Sequence, residues 1–290
     1  MTRTESSSRS SHWLKTAHRR LVLALFICFA IVSMTLTTSG CARTSEAGII
    51  VAGSTSVQPF AEILAEEYMH LHSDVTIDIQ GGGSSAGIMA VQSGTAAIGM
   101  SSRSLKDAEK NLYSLEIAKD GLALIVHPDN PVTDLTLDQI RAIYTRNVTD
   151  WRQLGGTAPE IHVITREEGS GTRSAFESLV MNVSTITPKA LVQDSNGAVR
   201  QLVADDPAAI GFISMGLADT SVKTLAINGI TATHDNITNG SYGLSRPFLF
   251  VMLAEPEGEV KSFIDFIRSA DGQRILANEG LVTLEEDQAG

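Results

Sequence analysis

The sequence predicts an α/β fold. Three observations carry that expectation. Short β-branched or apolar runs alternate along the chain with amphipathic stretches. Each run passes into the next helix-like stretch through a turn built of glycine, serine and threonine. The composition, 43% hydrophobic and 19% charged over 290 residues, supplies a full core and enough length for two lobes. There is no low-complexity tract, no repeat at a solenoid period and no Pro/Gly/Ser linker that would separate independent domains.

The first forty residues stand apart from this pattern. Arg3, Arg9, Lys15, Arg19 and Arg20 precede an apolar run from Leu21 to Leu36, and Thr37-Thr38-Ser39-Gly40 leads into Cys41. A basic start, a short apolar stretch and small residues read as a secretory signal peptide over 1–40. Ser33, Thr35, Thr37 and Thr38 interrupt the run too soon for a comfortable membrane span; an uncleaved anchor helix is the competing reading. The small residues before Cys41 resemble a bacterial lipobox, in which the cysteine is lipidated and becomes the mature N-terminus, although Thr38 stands where that pattern usually has Leu. Residues 41–46 are then a tether, and the body is extracytoplasmic and lipid-anchored to the cell membrane. With Cys28 in the signal and Cys41 as lipid acceptor, no thiol remains for a disulfide framework or a cysteine-based metal site.

Setting residues 1–40 aside removes five basic residues and one acidic residue (Glu5), which moves the formal charge from −11 to −15. Nucleic acid is excluded as a partner, because its binding needs basic patches that displace counterions. An anionic ligand would need a locally positive site, since the global charge is screened beyond a Debye length of ~8 Å.

The elements follow in order. In "GIIVAGSTSVQPFAEILAEEYMHLH", Ile49 to Ala52 reads as a buried strand and Gly53-Ser54-Thr55-Ser56 as a turn. Val57, Phe60, Ala61, Leu64, Tyr68 and Leu71 then recur at helical spacing, with Thr55 or Ser56 at the N-cap. "VTIDIQ" alternates as a strand, Gly81-Gly82-Gly83-Ser84-Ser85 turns, and a helix runs from Ala86 to Gln92. In "AAIGMSSRSLKDAEKNL" a strand leads through Ser101-Ser102-Arg103 to a polar helix. In "IHVITREEGSGTRSAFESLVM" a strand over Ile161–Thr165 leads through a loop over Arg166–Gly171 to a helix with Phe176, Leu179 and Val180 on one face. Each junction places a helix start at the carboxyl end of a strand, where α/β sheets bind ligands. A helix start carries about half a positive charge and up to four unpaired N–H groups. Several converging on one point would neutralise an oxyanion with a single formal cation, for which Arg166 is well placed. The competing reading is that each serine or threonine caps its own helix.

Gly83-Ser84-Ser85-Ala86-Gly87 also fits the G-x-S-x-G elbow of a serine hydrolase with Ser85 as nucleophile. That reading would need His234, with Asp205 or Asp206 before it. The elbow comes too early in the body, no H-G-G-G motif accompanies it, and the pattern is weak in a chain with 24 glycines. Gly81-x-Gly83-x-x-Ala86 satisfies a relaxed dinucleotide fingerprint, yet the strand that should end in an acidic residue ends in Ser101-Ser102-Arg103. No P-loop motif is present, and His70-x-His72 lacks a supporting ligand cluster.

In order along the body, "AGSTSVQPF", "GGGSSAG", "AAIGMSSR", "ITREEGSGTRSAF", "SNGAV" and "AAIGFISMG" resemble the phosphate-binding proteins that deliver phosphate to bacterial ABC importers. "REEGSGT" is the most specific. The resemblance implies a periplasmic-binding-protein fold of two α/β lobes joined by two crossing strands, with 47–126 and 236–290 in lobe 1 and 127–235 in lobe 2. It implies no catalytic residue, no cofactor and no metal. It implies as partners inorganic phosphate and the permease and ATPase subunits of an importer. By residue, it implies that Thr55 and Ser56 donate to phosphate, that Ser84 donates its hydroxyl and N–H, and that Arg166 supplies the charge, held by Glu168. Ser170, Gly171 and Thr172 complete the cradle from the other lobe, with Ser85 and Arg103 as additional candidates. Family members place an Asp where this chain has Ser102, which weakens the expected rejection of sulfate. Another oxyanion, such as sulfate, molybdate or a phosphonate, is the alternative ligand.

Overall fold

The computed structural model describes residues 48–284. The signal segment 1–40, Cys41 and the tether at 41–46 lie outside the described residues, as does Cys28. Among the described residues no helix is long and apolar enough to cross a membrane.

The first half of the architecture is a parallel core. Strand β1 (Ile49–Gly53) lies between β2 (Ile77–Gly81) and β3 (Ile98–Ser101), with α1 (Gln58–Leu71) and α2 (Ser84–Gln92) as the crossovers. The chain then enters β4 (Tyr113–Val126), β5 (Asp134–Leu135) and α3 (Leu137–Tyr144). A second alternating set follows: β6 (His162–Arg166), α4 (Gly171–Phe176), β7 (Leu191–Gln193), α5 (Asn196–Asp205) and β8 (Ala209–Ser214). Short strands β9 (Lys223–Thr224) and β10 (Ala226–Ile227), helix α6 (His234–Thr238), strand β11 (Ser245–Met252), and helices α7 (Gly258–Arg268) and α8 (Ala270–Asn278) close the described chain. The strands form one curled sheet in the order β2-β1-β3-β11-β4-β8-β6-β7, with β9 on β4 and a separate β5–β10 pair.

This is the two-lobed periplasmic-binding-protein fold, and β4 shows how the lobes are joined. Over Tyr113–Gly121 it pairs antiparallel with β11, and over Leu122–Val126 it pairs with β8. One hydrophobic cluster packs α1, α7 and α8 on the first part of the sheet through Phe60, Leu64, Tyr68, Phe248 and Phe263. A second gathers Trp151, Tyr144, Phe176 and Phe212, with the Phe176 and Phe212 rings stacked 4.2 Å apart. Strands β3 and β8 are buried at every position, which is why they read as continuous apolar runs rather than alternating ones.

Several boundaries differ from the sequence expectation. Leu71, placed on the buried stripe of α1, is 59% exposed because the helix ends there, past the apolar surface. Helix α2 begins at Ser84, two residues before the expected Ala86, and β6 runs one residue later, to Arg166. Within α2, Gly87 meets β1 so closely that a Cβ would lie 2.4 Å from the Ala52 carbonyl oxygen. The second glycine of the elbow pattern therefore serves helix-on-strand packing. The polar helix expected after Arg103 is absent; a single 3-10 turn, Asp107–Glu109, stands there. That stretch has no apolar stripe to bury, and Glu109 is spent instead on the Arg103 guanidinium and the Lys106 N–H.

Where the lobes exchange strands, Arg246 on β11 lies in register with Asp120 on β4. Its Nε and Nη2 donate to Asp120 Oδ2 at 3.0 and 2.9 Å, and both residues are buried. Burial pushes the Asp120 carboxyl up against the pull of Arg246 and Ser214, and the same burial pushes Arg246 down. Removing one partner leaves the other charge unpaired in the interior, so Asp120→Ala is expected to lower stability by about 3–5 kcal/mol in urea unfolding. A loss below about 1 kcal/mol would show that the pair does not brace the crossing.

Candidate functional site

Five strand ends meet at the boundary between the lobes. From lobe 1 come Thr55 and Ser56 before α1, Ser84 at the head of α2, and Ser102 after β3. From lobe 2 come Arg166 at the end of β6, Ser170 to Thr172 at the head of α4, and Asn196 at the head of α5.

The capping alternative fails at α1 and α2 and holds at α4. The N-cap of α1 is Val57, with no side-chain cap, and the turn is closed instead by the Ser54 carbonyl accepting from Val57 and Gln58. The hydroxyls of Thr55 and Ser56 are thereby released toward the other lobe. Thr55 Oγ1 accepts from Arg166 Nη2 at 2.9 Å, and Ser56 Oγ shares a proton with Thr172 Oγ1 at 2.6 Å. Gly83 caps α2 without a side chain, which leaves Ser84 Oγ to accept from the Ser102 N–H at 3.0 Å. Ser170 does cap, accepting from the Arg173 N–H at 3.3 Å.

Arg166 is 1% exposed. Its Nε and Nη2 donate to Glu167 at 2.8 and 2.9 Å, and to the carbonyls of Gln193 and Asp194 at 3.3 and 3.0 Å. The orienting carboxylate is thus Glu167, not Glu168. Glu168 sits exposed in the turn after β6, while Glu167 is fixed by its own N–H on the Gln193 carbonyl. Nη1 of Arg166 is buried and makes no hydrogen bond among the described residues.

The remaining groups form a network of hydroxyls. Ser54 Oγ donates to Ser102 Oγ at 2.8 Å, and Ser84 and Ser102 hydroxyls lie 3.4 Å apart. Asn196 donates to Ser56 Oγ at 2.9 Å and accepts from the Ser214 N–H. Ser214 Oγ in turn donates to Asp120, and Arg246 reaches the Ser102 carbonyl at 3.5 Å. Nothing in the sequence marks Ser54, Asp120, Asn196 and Arg246 as members of this network. Ser54 and Asn196 fall inside stretches already quoted, whereas Asp120 and Arg246 sit in strands with no motif around them.

Arg103 is turned away from this centre, with its guanidinium clasped by Glu109 at 2.7 and 2.9 Å. Arg103 Nη2 also reaches Ser85 Oγ at 3.4 Å, a permanent cation where a nucleophile would need a base. His162 pairs with Asp206 at 2.6 Å, and no group of three or more potential metal ligands exists among the described residues.

Hydroxyls, amides and one guanidinium with an unused donor, converging from both lobes, make a device for holding an oxyanion. The lobes are in their closed arrangement: Ser85 N–H donates across the boundary to the Gly169 carbonyl at 3.1 Å. Gly171 lies so close to lobe 1 that a Cβ would stand 2.1 Å from Ser84 Oγ and 2.4 Å from Ser102 Oγ. Gly171→Ala is expected to wedge the lobes apart at a cost of about 1–3 kcal/mol to closure. Small-angle scattering should then give a larger radius of gyration than for the unmodified chain; an unchanged radius would refute the wedge.

Comparison with known proteins agrees with this geometry. The PBP superfamily domain matches residues 36–271. The phosphate-binding protein PstS of Bacillus subtilis (strain 168) is 30% identical over 244 residues, covering 82% of this chain and 81% of its own. The PstS of Pseudomonas aeruginosa is also 30% identical, over 80% of this chain and 81% of its own. Among solved structures, a phosphate ABC transporter substrate-binding protein with bound phosphate from Clostridium perfringens superposes with a TM-score of 0.79 at 45% identity. It covers 82% of this chain and 99% of that one. A phosphate transport receptor from Vibrio cholerae gives 0.69 at 39% identity, over 82% and 100%.

Proposed function

This chain belongs to the PstS family of phosphate-binding proteins within the PBP superfamily, and from that membership we propose that it captures inorganic phosphate outside the cytoplasm for an ABC importer. It is a binding protein, not an enzyme. The observation that carries the ligand assignment is the buried Arg166: a lobe 2 cation that reaches Thr55 of lobe 1 and whose Nη1 has no hydrogen-bond partner among the described residues.

In this reading the phosphate oxygens take the places that the hydroxyls now offer one another. Thr55, Ser56, Ser84 and Ser102 donate from lobe 1; the Ser170 hydroxyl, the Gly171 amide and Thr172 donate from lobe 2; Arg166 supplies the charge. Charge-assisted bonds contribute roughly 1.5–3 kcal/mol each, and a micromolar site needs about 8 kcal/mol. A handful therefore suffices after desolvation and closure. Lipidation at Cys41 would tether the receptor, and the permease and ATPase of the importer would receive its cargo. The lobes would divide where the two hydrophobic clusters do, between Ala118 and Leu122 on one crossing and between Leu244 and Phe248 on the other. The first point lies about four to eight residues before the 126/127 boundary that resemblance implies, and the second about nine to thirteen after the 235/236 boundary.

Arg166→Ala is expected to weaken phosphate binding about 100-fold by calorimetry, from the loss of one strong charge-assisted contact. Unchanged affinity would remove Arg166 from the site. Ser102 favours a second ligand class. With a hydroxyl rather than a carboxylate there, a fully deprotonated oxyanion meets no fixed negative charge at that position. Sulfate is expected to displace phosphate in a competition titration. Failure to compete at millimolar sulfate would mean that another group reads the phosphate proton.

A further inference from the structure

Next to Ser102, on the side where Arg246 meets its carbonyl, the lobes and β11 line a half-open cavity of about 300 Å³. Arg103 and Lys106 line it from lobe 1, Ala175, Ser178 and Leu179 from lobe 2, and Pro247 with Arg246 from the crossing strand. None of these residues belongs to the cradle around Arg166.

Two features point to a ligand. Arg103 is 6% exposed, and its Nη1 and Nη2 are taken by Glu109, the Ser104 carbonyl and Ser85. Its Nε has no hydrogen-bond partner among the described residues and almost no accessible surface, so a ligand in the cavity meets it only when the side chain shifts. Glu109 pairs with Arg103 but does not line the cavity, no carboxylate lines it, and Lys106 adds positive charge at its exposed rim. Ala175, Leu179 and Pro247 give the lining an apolar part, beside Ser104, Ser174, Ser178 and Ser245. A bare inorganic anion would leave that apolar part unused. The volume suits a small organic solute.

We propose that this cavity binds a small organic anion, its charged group on Arg103 and Lys106 and its carbon body on Ala175, Leu179 and Pro247. Because both lobes wall it, the cavity has this shape only when they are closed.

Calorimetry of the full chain with phenylphosphonate as probe tests the proposal. Saturable binding is expected, and Arg166→Ala should change it by less than about twofold. Ser178→Trp fills the mouth from an exposed position and should weaken the probe by at least about tenfold while leaving inorganic phosphate within about twofold. Lys106→Glu, a charge reversal at the rim, should weaken the probe by a similar factor, and it decides the matter if Ser178→Trp loses both ligands. The proposal is overturned if phenylphosphonate does not bind, if Arg166→Ala abolishes its binding because the probe sits in the cradle, or if Lys106→Glu leaves it unchanged. Should inorganic phosphate fail to bind the unmodified chain, the cradle reading falls while the probe results still decide the cavity.

Discussion

A guanidinium with 1% exposure must be held from several sides, and the way Arg166 is held organises the rest of the molecule. Strand β6 delivers it to the lobe boundary, and β7 lies beside that strand in register, so that Gln193 and Asp194 present their carbonyls to it. Glu167 adds a two-point grip. These contacts all come from lobe 2 and fix the plane of the group before lobe 1 arrives. The contact with Thr55 is therefore made by a cation already aimed, which spares the site the ordering cost that a mobile arginine would bring.

The cradle is tied to the hinge by an unbroken line of polar contacts. Arg246 grips Asp120, Asp120 accepts from Ser214, Ser214 donates its N–H to Asn196, and Asn196 donates to Ser56, which meets Thr172 across the boundary. A second branch runs from Arg246 to Ser102, and from Ser102 to Ser54 and Ser84. Every member is buried, so each must keep a partner as the lobes move. Opening the cleft breaks the contacts of Ser56 with Thr172 and Asn196 without disturbing the Asp120 pair, which lies on the crossing strands themselves. The hinge can bend while its charges stay matched.

How much of this was legible in the sequence depends on the range of the interaction. The alternation of runs and the buried stripe of α1 were readable because they are local, with a period set by the backbone. The loops of the cradle were readable because a glycine-and-hydroxyl turn between a strand and a helix has few uses. What each hydroxyl does was not readable. Thr55 and Ser56 look like caps, and only the turn closed by the Ser54 carbonyl shows that they cap nothing. The choice between Glu167 and Glu168 rests on which of two adjacent side chains follows the strand edge, a matter of one backbone bond. Asp120 and Arg246 were hidden because their partnership spans 126 residues and no local motif marks either one.

Charge arithmetic explains how a strongly acidic body can hold an anion. Each of the three buried arginines near the cleft has its own carboxylate: Glu109 for Arg103, Glu167 for Arg166, Asp120 for Arg246. The centre is close to neutral, and the surface charge of the rest is screened within ~8 Å. An oxyanion here is held less by net charge than by fixed dipoles: hydroxyls whose alternatives are one another, and helix-head amides aimed from two directions. Dipoles placed in a dry site act over short distances and need a close fit. This accounts for Gly171, the residue that lets lobe 2 come within contact of the Ser84 and Ser102 hydroxyls. A cradle that relied on surplus positive charge could tolerate a methyl group there; one built from matched charges and short bonds cannot.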